Sequence, residues 1–159
     1  EHMEIKGGRE DVRDVIDYMT SEYGNEDLTL AGFSFGSRTG MEVGMRDDHV
    51  KRLISVGTPV DKYADYDFLT EVRKPILFVH GGLDRQVPVE HVEKLSDLAR
   101  KESKSKSVEV VVVRGVNHLL VPATTGEVSE YGTLPDRNVS KDVTMAVTTW
   151  LSKTFASIR

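Results

Sequence analysis

The chain has 159 residues, no cysteine and a formal net charge of −5, with 21 basic and 26 acidic side chains. This length suits one domain around one core, and we predict a single domain over residues 1–159. The acidic balance argues against a nucleic-acid-binding protein, and the missing cysteines exclude disulfides, a thiol nucleophile and a cysteine-based zinc site. No apolar run approaches the roughly 20 residues of a membrane span, so we expect no membrane partner.

The first half of the chain predicts two helices and two strands, namely helices over 8–23 and 37–47 and strands over 28–33 and 50–56. Gly24 is placed to end the first helix. The almost continuous apolar run LTLAGF, residues 28–33, is typical of a strand covered on both faces. The segment 61–72 is ambiguous between a short helix and a packed loop.

The second half alternates in the same way, with strands over 76–80 and 108–113 and helices over 89–101 and 141–155. Ser140 is the expected N-cap of the last helix. The Lys- and Ser-rich segment 101–107 is interpreted as a solvated loop.

Apolar strands that alternate with helices predict an α/β fold with a mostly parallel sheet flanked by helices. Ligands of such sheets bind beyond the carboxyl ends of the strands. The residues that follow the four predicted strands there are Ser34, Thr58, Asp84 and His118.

Ser34, Asp84 and His118 follow one another in the order nucleophile, acid, base. A serine hydroxyl needs a base to take its proton, and a carboxylate holds that base in one tautomer. Gly32 and Gly36 bracket Ser34 in a tight turn between strand and helix, where neighbouring side chains must be absent. The amide of Phe35 is then placed to donate to an oxyanion.

Each of these three residues has a simpler interpretation. Ser34 could be a small residue in a tight turn, Asp84 a helix cap and His118 a surface histidine. Three other histidines are candidates for the base, namely His49, His80 and His91. Their positions favour His118, since they lie before a strand, at the end of a strand and in a helical pattern. Asp136 and Glu127 are the next candidates for the acid.

The segments LAGFSFGS, PILFVHGGLDRQVP and VVVVRGVNHLL resemble the nucleophile elbow, acid loop and histidine loop of the α/β-hydrolase superfamily. The tail from residue 117 resembles bacterial esterases and prolyl-oligopeptidase-like members. The resemblance implies an α/β-hydrolase-like domain that cleaves short-acyl carboxylic esters, with Ser34 as nucleophile, Asp84 as orienting acid and His118 as base. It implies a small-molecule ester substrate, and no cofactor or metal.

The resemblance also predicts a domain that is truncated on its amino-terminal side. Members of the superfamily carry several strands before the nucleophile strand, whereas 27 residues precede it here. The opening residues 1–3 could themselves be a vector-derived remnant. The source of a second oxyanion donor is therefore open.

Two alternative functions follow: a non-catalytic or partial hydrolase piece that needs a partner chain, or a serine peptidase or acyltransferase. We expect a homo-oligomer, or a partner chain that supplies amino-terminal strands. The compartment stays open, with the cytoplasm as the default expectation.

Overall fold

The structure is a computed structural model that describes residues 2–24, 27–63, 65–101 and 107–157, with backbone alone at residues 2 and 3. Its helices are α1 (His2–Tyr23), α2 (Phe35–Gly44), α3 (Glu90–Lys101) and α4 (Lys141–Ala156). Its strands are β1 (Leu28–Phe33), β2 (Val50–Val56), β3 (Ile76–Gly81) and β4 (Val108–Val113). Two 3₁₀ segments span Asp67–Glu71 and Val128–Thr133. Most of the predicted Lys- and Ser-rich loop, residues 102–106, lies outside the described residues.

The four strands form one parallel sheet in the order β1-β2-β3-β4. Helices pack on both sides of it, which confirms the predicted α/β class with a parallel sheet flanked by helices. Parallel strands place all their carboxyl ends at one edge, so the residues that follow β1, β3 and β4 meet there.

Alternating side chains of β3 divide the interior into two apolar cores. Ile76 and Phe78 face a core shared with α1, α2, the Asp67–Glu71 segment and α3. Leu77 and Val79 face the opposite core, which α4 covers with Val143, Val147 and Trp150. The sheet is thus a middle layer between helices on its two faces.

The prediction that β1 is covered on both faces is wrong. Leu28 and Leu30 are half-buried under α2, whereas Ala31 and Phe33 are exposed on the other face. The physical reason is position: β1 lies at the edge of the sheet and pairs only with β2 among the described strands. An apolar run alone does not distinguish a central strand from an edge strand.

The predicted end of α1 and start of α4 are confirmed, whereas α1 begins at His2 rather than residue 8 and α2 ends at Gly44 rather than residue 47. Gly24 has a φ of 61°, and its amide donates to the Thr20 carbonyl at 2.9 Å, as expected of a residue that ends a helix. The Ser140 side chain caps α4 by accepting from the amide of Asp142 at 3.3 Å. The ambiguous segment 61–72 contains the 3₁₀ turn Asp67–Glu71. None of the described helices has both the length and the apolar composition needed to cross a bilayer.

Candidate active site

Ser34 occupies a strained turn between β1 and α2. Its φ of 51° and ψ of −118° lie in a region that residues other than glycine rarely adopt. The turn is fixed on both sides, because the Ser34 amide donates to the Val56 carbonyl at 2.8 Å and its carbonyl accepts from the Ser37 amide at 3.1 Å. The strain lifts the side chain clear of the strand, as in a nucleophile elbow.

The two glycines around Ser34 have different surroundings. A Cβ on Gly32 would lie 2.4 Å from the carbonyl oxygen of Gly36 and 2.5 Å from the Cα of Ser37, so α2 packs directly on the strand backbone there. A Cβ on Gly36 would meet nothing within 4 Å of the described chain. The expectation that neighbouring side chains must be absent is therefore confirmed at Gly32. It is wrong at Gly36, where there is room for a side chain.

Phe35 is the first residue of α2. The first amides of a helix have no acceptor within the helix, and the helix dipole favours negative charge beside them. The Phe35 amide is therefore available to a negative oxygen that develops next to Ser34. No second donor can be assigned among the described residues.

Asp84 is buried at the carboxyl end of β3. One carboxylate oxygen, Oδ1, accepts from the amides of Gln86 at 2.9 Å and Val87 at 2.8 Å. The other oxygen, Oδ2, lies 2.6 Å from His118 Nδ1. Hydrogen bonds to both oxygens fix the orientation of this carboxylate.

His118 follows β4 and presents one ring nitrogen to Asp84. Since a carboxylate oxygen accepts, Nδ1 of His118 donates, and Nε2 of the neutral ring is left to accept a proton. The ring packs against Phe33, and a Cβ on Gly57 would come within 3.2 Å of its Cε1 atom. His118 is thus both oriented by a charge and held by packing.

The structure brings Asp84 and His118 into direct contact, and Phe33, the residue before Ser34, packs against the His118 ring. Among the described residues, the Ser34 hydroxyl makes no hydrogen bond to the His118 ring. In substrate-free enzymes the hydrogen bond between nucleophile and base is often long or poorly aligned, and it tightens when substrate binds.

None of the competing candidates forms the acid–base pair, because Asp84 and His118 bond each other. His49 lies 3.1 Å from Asp47, and the Nδ1 atom of His91 accepts from the amide of Val60. Asp136 accepts from Asn138 on the surface, and Glu127 is exposed. His80 bonds the backbone of Val87 and lies 3.7 Å from Asp84.

Thr58, the fourth strand-end residue, is buried and does not face the site. Its hydroxyl joins a cluster with those of Ser37 and Ser55, the latter at 2.7 Å. This cluster fastens the start of α2 to β2 below the Ser34 turn.

Sequence analysis missed Glu130, whose carboxylate organises the loop beside the acid. It accepts from the amides of Thr124 and Gly126, each at 2.8 Å, and from Thr125. Desolvation raises the pKa of Glu130, but these hydrogen bonds outweigh it and lower the pKa to about 2. The loop also touches the acid turn, since Gln86 donates to the hydroxyl of Tyr131 at 2.9 Å. The signal in the sequence was a Thr-Thr-Gly turn with an acidic residue four positions after the glycine, which becomes informative only once the loop is folded.

The parallel sheet, the strained serine turn and the Asp84–His118 pair together define an α/β-hydrolase-like protein. Residues 2–153 match the model of the dienelactone hydrolase family, and the chain belongs to that family. No curated protein has a significantly similar sequence.

Solved structures share this fold. An α-β serine hydrolase homologue from Coxiella burnetii is 34% identical, with a TM-score of 0.59 over 69% of this chain and 50% of that one. Esterase PE8 is 22% identical, with a TM-score of 0.59 over 87% of this chain and 55% of that one. The Pyrococcus furiosus esterase Pf2001 is 16% identical, with a TM-score of 0.57 over 65% of this chain and 51% of that one. The present chain thus spans about half the length of these relatives.

Proposed function

We propose that the chain is a serine hydrolase that cleaves carboxylic esters with short acyl groups through Ser34, His118 and Asp84. The observation that carries the proposal is the buried 2.6 Å contact between Asp84 Oδ2 and His118 Nδ1, at the sheet edge where Ser34 holds its strained turn. Membership of a hydrolase family supports the same class.

The proposed reaction has two halves. Ser34 Oγ attacks the ester carbonyl while His118 Nε2 takes its proton, and the Phe35 amide donates to the oxygen that becomes negative. The carbon–oxygen bond to the alcohol then breaks, and the alcohol leaves with the proton from His118. Water, deprotonated by His118, attacks the acyl-enzyme, which releases the acid and restores Ser34.

The chemistry of this site and the family name both support an ester as substrate. A lactone is a cyclic ester, so the dienelactone name supports ester hydrolysis and places lactones among the first substrates to try. Among the described residues no group of three or more His, Cys, Asp or Glu side chains is placed to hold a metal ion. The proposed steps need only the side chains and the amide named above.

The decisive experiment combines covalent labelling with turnover. The wild-type chain should react with a fluorophosphonate at Ser34, located by peptide mass spectrometry, and should hydrolyse p-nitrophenyl acetate and butyrate. Ser34→Ala should lose both properties while keeping the wild-type circular dichroism spectrum. Ser21→Ala removes an exposed serine of α1 and should keep both. Equal turnover by Ser34→Ala and wild type would refute the assignment.

A second candidate is a hydrolase piece that is inactive without a partner chain. Two observations favour it: the outer edge of β1 pairs with no other described strand, and the chain covers about half the length of the solved relatives. A folded wild-type chain that is not labelled at Ser34 would support this candidate. Amide substrates and alcohol acceptors in the same assay distinguish a peptidase or acyltransferase from an esterase.

A further inference from the structure

His80 is a buried histidine beside the acid that the proposed reaction does not use. It lies near the end of β3, four residues before Asp84, with 1% of its surface exposed. Its Nε2 atom is 2.9 Å from the carbonyl oxygen of Val87. Since a carbonyl only accepts, Nε2 carries the proton of the neutral ring. The Nδ1 atom is buried without a hydrogen-bond partner in the described chain.

The surroundings of His80 keep its ring neutral. Burial lowers the pKa of His80 from its ordinary value, and this outweighs the opposing effects of the Val87 carbonyl and the Asp84 charge. His118 and His91 oppose a charge on His80 as well. His80 Nε2 lies 3.7 Å from Asp84 Oδ2, but a neutral His80 forms no ion pair with this carboxylate. Asp84 therefore interacts as a charged acceptor with His118 alone of these two histidines.

A continuous series of hydrogen bonds links His80 to His118. The ring of His80 donates to the carbonyl of Val87, and the amide of the same Val87 donates to Asp84 Oδ1 at 2.8 Å. Asp84 Oδ2 then accepts from His118 Nδ1. Both ends of the Val87 residue are thereby fixed, one by His80 and the other by the acid.

We propose that His80 is a positioning residue for the acid: by holding the Val87 carbonyl it fixes the 84–87 turn and so aims Asp84 Oδ2 at His118. The consequence for turnover rests on the proposed function. The consequence for the Asp84–His118 hydrogen bond does not, because that bond is present in the free protein.

The test compares two substitutions of His80 with a matched one of His91. In His80→Gln the side-chain amide nitrogen is as many bonds from Cβ as Nε2 of histidine, so it can still donate to Val87. His80→Phe keeps a ring of similar size and removes the donor. His91→Phe is the control, because His91 is also buried and also bonds the backbone, but at Val60 rather than at the acid turn.

Two readouts separate positioning from folding. Proton NMR follows the Nδ1 proton of His118, which reports its hydrogen bond to Asp84, and steady-state kinetics with p-nitrophenyl acetate gives kcat and KM. In His80→Phe we expect the His118 Nδ1 proton signal to weaken, because a misaligned carboxylate accepts this hydrogen bond less well. We expect kcat to fall by about 10- to 100-fold with KM little changed. His80→Gln and His91→Phe should stay close to wild type in both readouts.

A folded His80→Phe with a wild-type His118 Nδ1 proton signal overturns the proposal, and so does a change of equal size in His91→Phe. If His80→Phe does not fold by circular dichroism, His80→Asn replaces it, since its side chain is too short to reach Val87 and the same result is expected. A wild-type chain with no turnover but with the expected NMR changes in His80→Phe refutes the proposed function and leaves the positioning role supported.

Discussion

The phenyl ring of Phe33 lies against the imidazole ring of His118, with 4.9 Å between the ring centroids. Phe33 is the last residue of β1 and directly precedes Ser34, so this contact joins the serine turn to the histidine loop. Gly57 lies against another part of the His118 ring. His118 would therefore keep its place if the charge of Asp84 were removed.

Asp84→Asn removes that charge and keeps a side chain of the same size. We expect kcat for p-nitrophenyl acetate to fall by on the order of 10⁴, because the amide leaves the imidazole in the wrong tautomer while Phe33 still holds the ring. The measurement is steady-state turnover, with the thermal unfolding midpoint as a check on the fold. A fall of less than tenfold would refute the acid role of Asp84, and Asp136→Asn is the matched surface control.

Gly32 and Gly36 provide a pair of identical substitutions with opposite expected results. Gly32→Ala places a Cβ 2.4 Å from the Gly36 carbonyl oxygen, so α2 must move away from β1. We expect a loss of about 1 to 3 kcal/mol in the free energy of unfolding, together with loss of fluorophosphonate labelling. Gly36→Ala should unfold at least as late as wild type, since the site is open and alanine favours a helix. Urea titration measures both, and equal losses in the two variants would contradict this account of the turn.

The fold was largely predictable because its signals are local. β1, β2 and β4 have the predicted bounds, and the alternation of strand and helix was enough to place Ser34, Asp84 and His118 at one edge. The start of α2 at Phe35 rather than residue 37 was not predictable, because it follows from the tight contact between Gly32 and the helix.

Features that depend on residues far apart in the chain could not be predicted from the sequence. Arg52 lies in a strand pattern, yet it is fully buried, bonding Asp27 and Thr29 with Phe155 stacked on its guanidinium at 3.8 Å. Nothing local in VKRLISV indicates these partners. The roles of His80 and Glu130 were hidden for the same reason, since each bonds backbone that only the folded loops bring near.

Glu42 should make stability depend on pH. This carboxylate of α2 is 12% exposed and accepts from Arg9 at 2.7 Å and from Arg38. Burial raises the pKa of Glu42, but the two arginines outweigh it and hold the pKa below its ordinary value of 4.5. A carboxyl whose pKa is lower in the folded state stabilises the protein above its unfolded pKa, and this contribution is lost as the pH falls through the folded value.

Glu42→Gln should therefore lower the free energy of unfolding by about 2 kcal/mol at pH 7, where the charged hydrogen bonds are intact. The difference from wild type should shrink as the pH falls below 4.5. Urea titrations at a series of pH values measure it. Glu10→Gln, which removes an exposed carboxylate 4.0 Å from Lys6, should change little at any pH. A Glu42→Gln deficit that stays constant with pH would contradict the ion-pair explanation.

The outer edge of β1 predicts association of the chain. The amide of Ser34 donates towards β2, and alternation along the strand directs the amides of Ala31 and Phe33 to the open side. These two residues are also exposed on the face that α2 does not cover. An apolar edge with unpaired backbone groups favours pairing with another strand, and parallel strands are usually covered on both faces.

We therefore expect the purified chain to self-associate through β1 at micromolar concentration, unless a separate polypeptide with a matching strand occupies that edge. Light scattering coupled to size-exclusion chromatography gives the mass, and hydrogen exchange at Ala31 and Phe33 reports whether their amides are protected.

Ala31→Lys places a charge on the exposed edge and should shift the chain to a monomer with rapid exchange at Phe33, because a charged edge strand resists pairing. Ser21→Lys, the same charge placed on α1, should leave the mass unchanged. A wild-type chain that is a monomer at this concentration would refute self-association, and protected Ala31 and Phe33 amides in that monomer would mean that the chain covers the β1 edge itself.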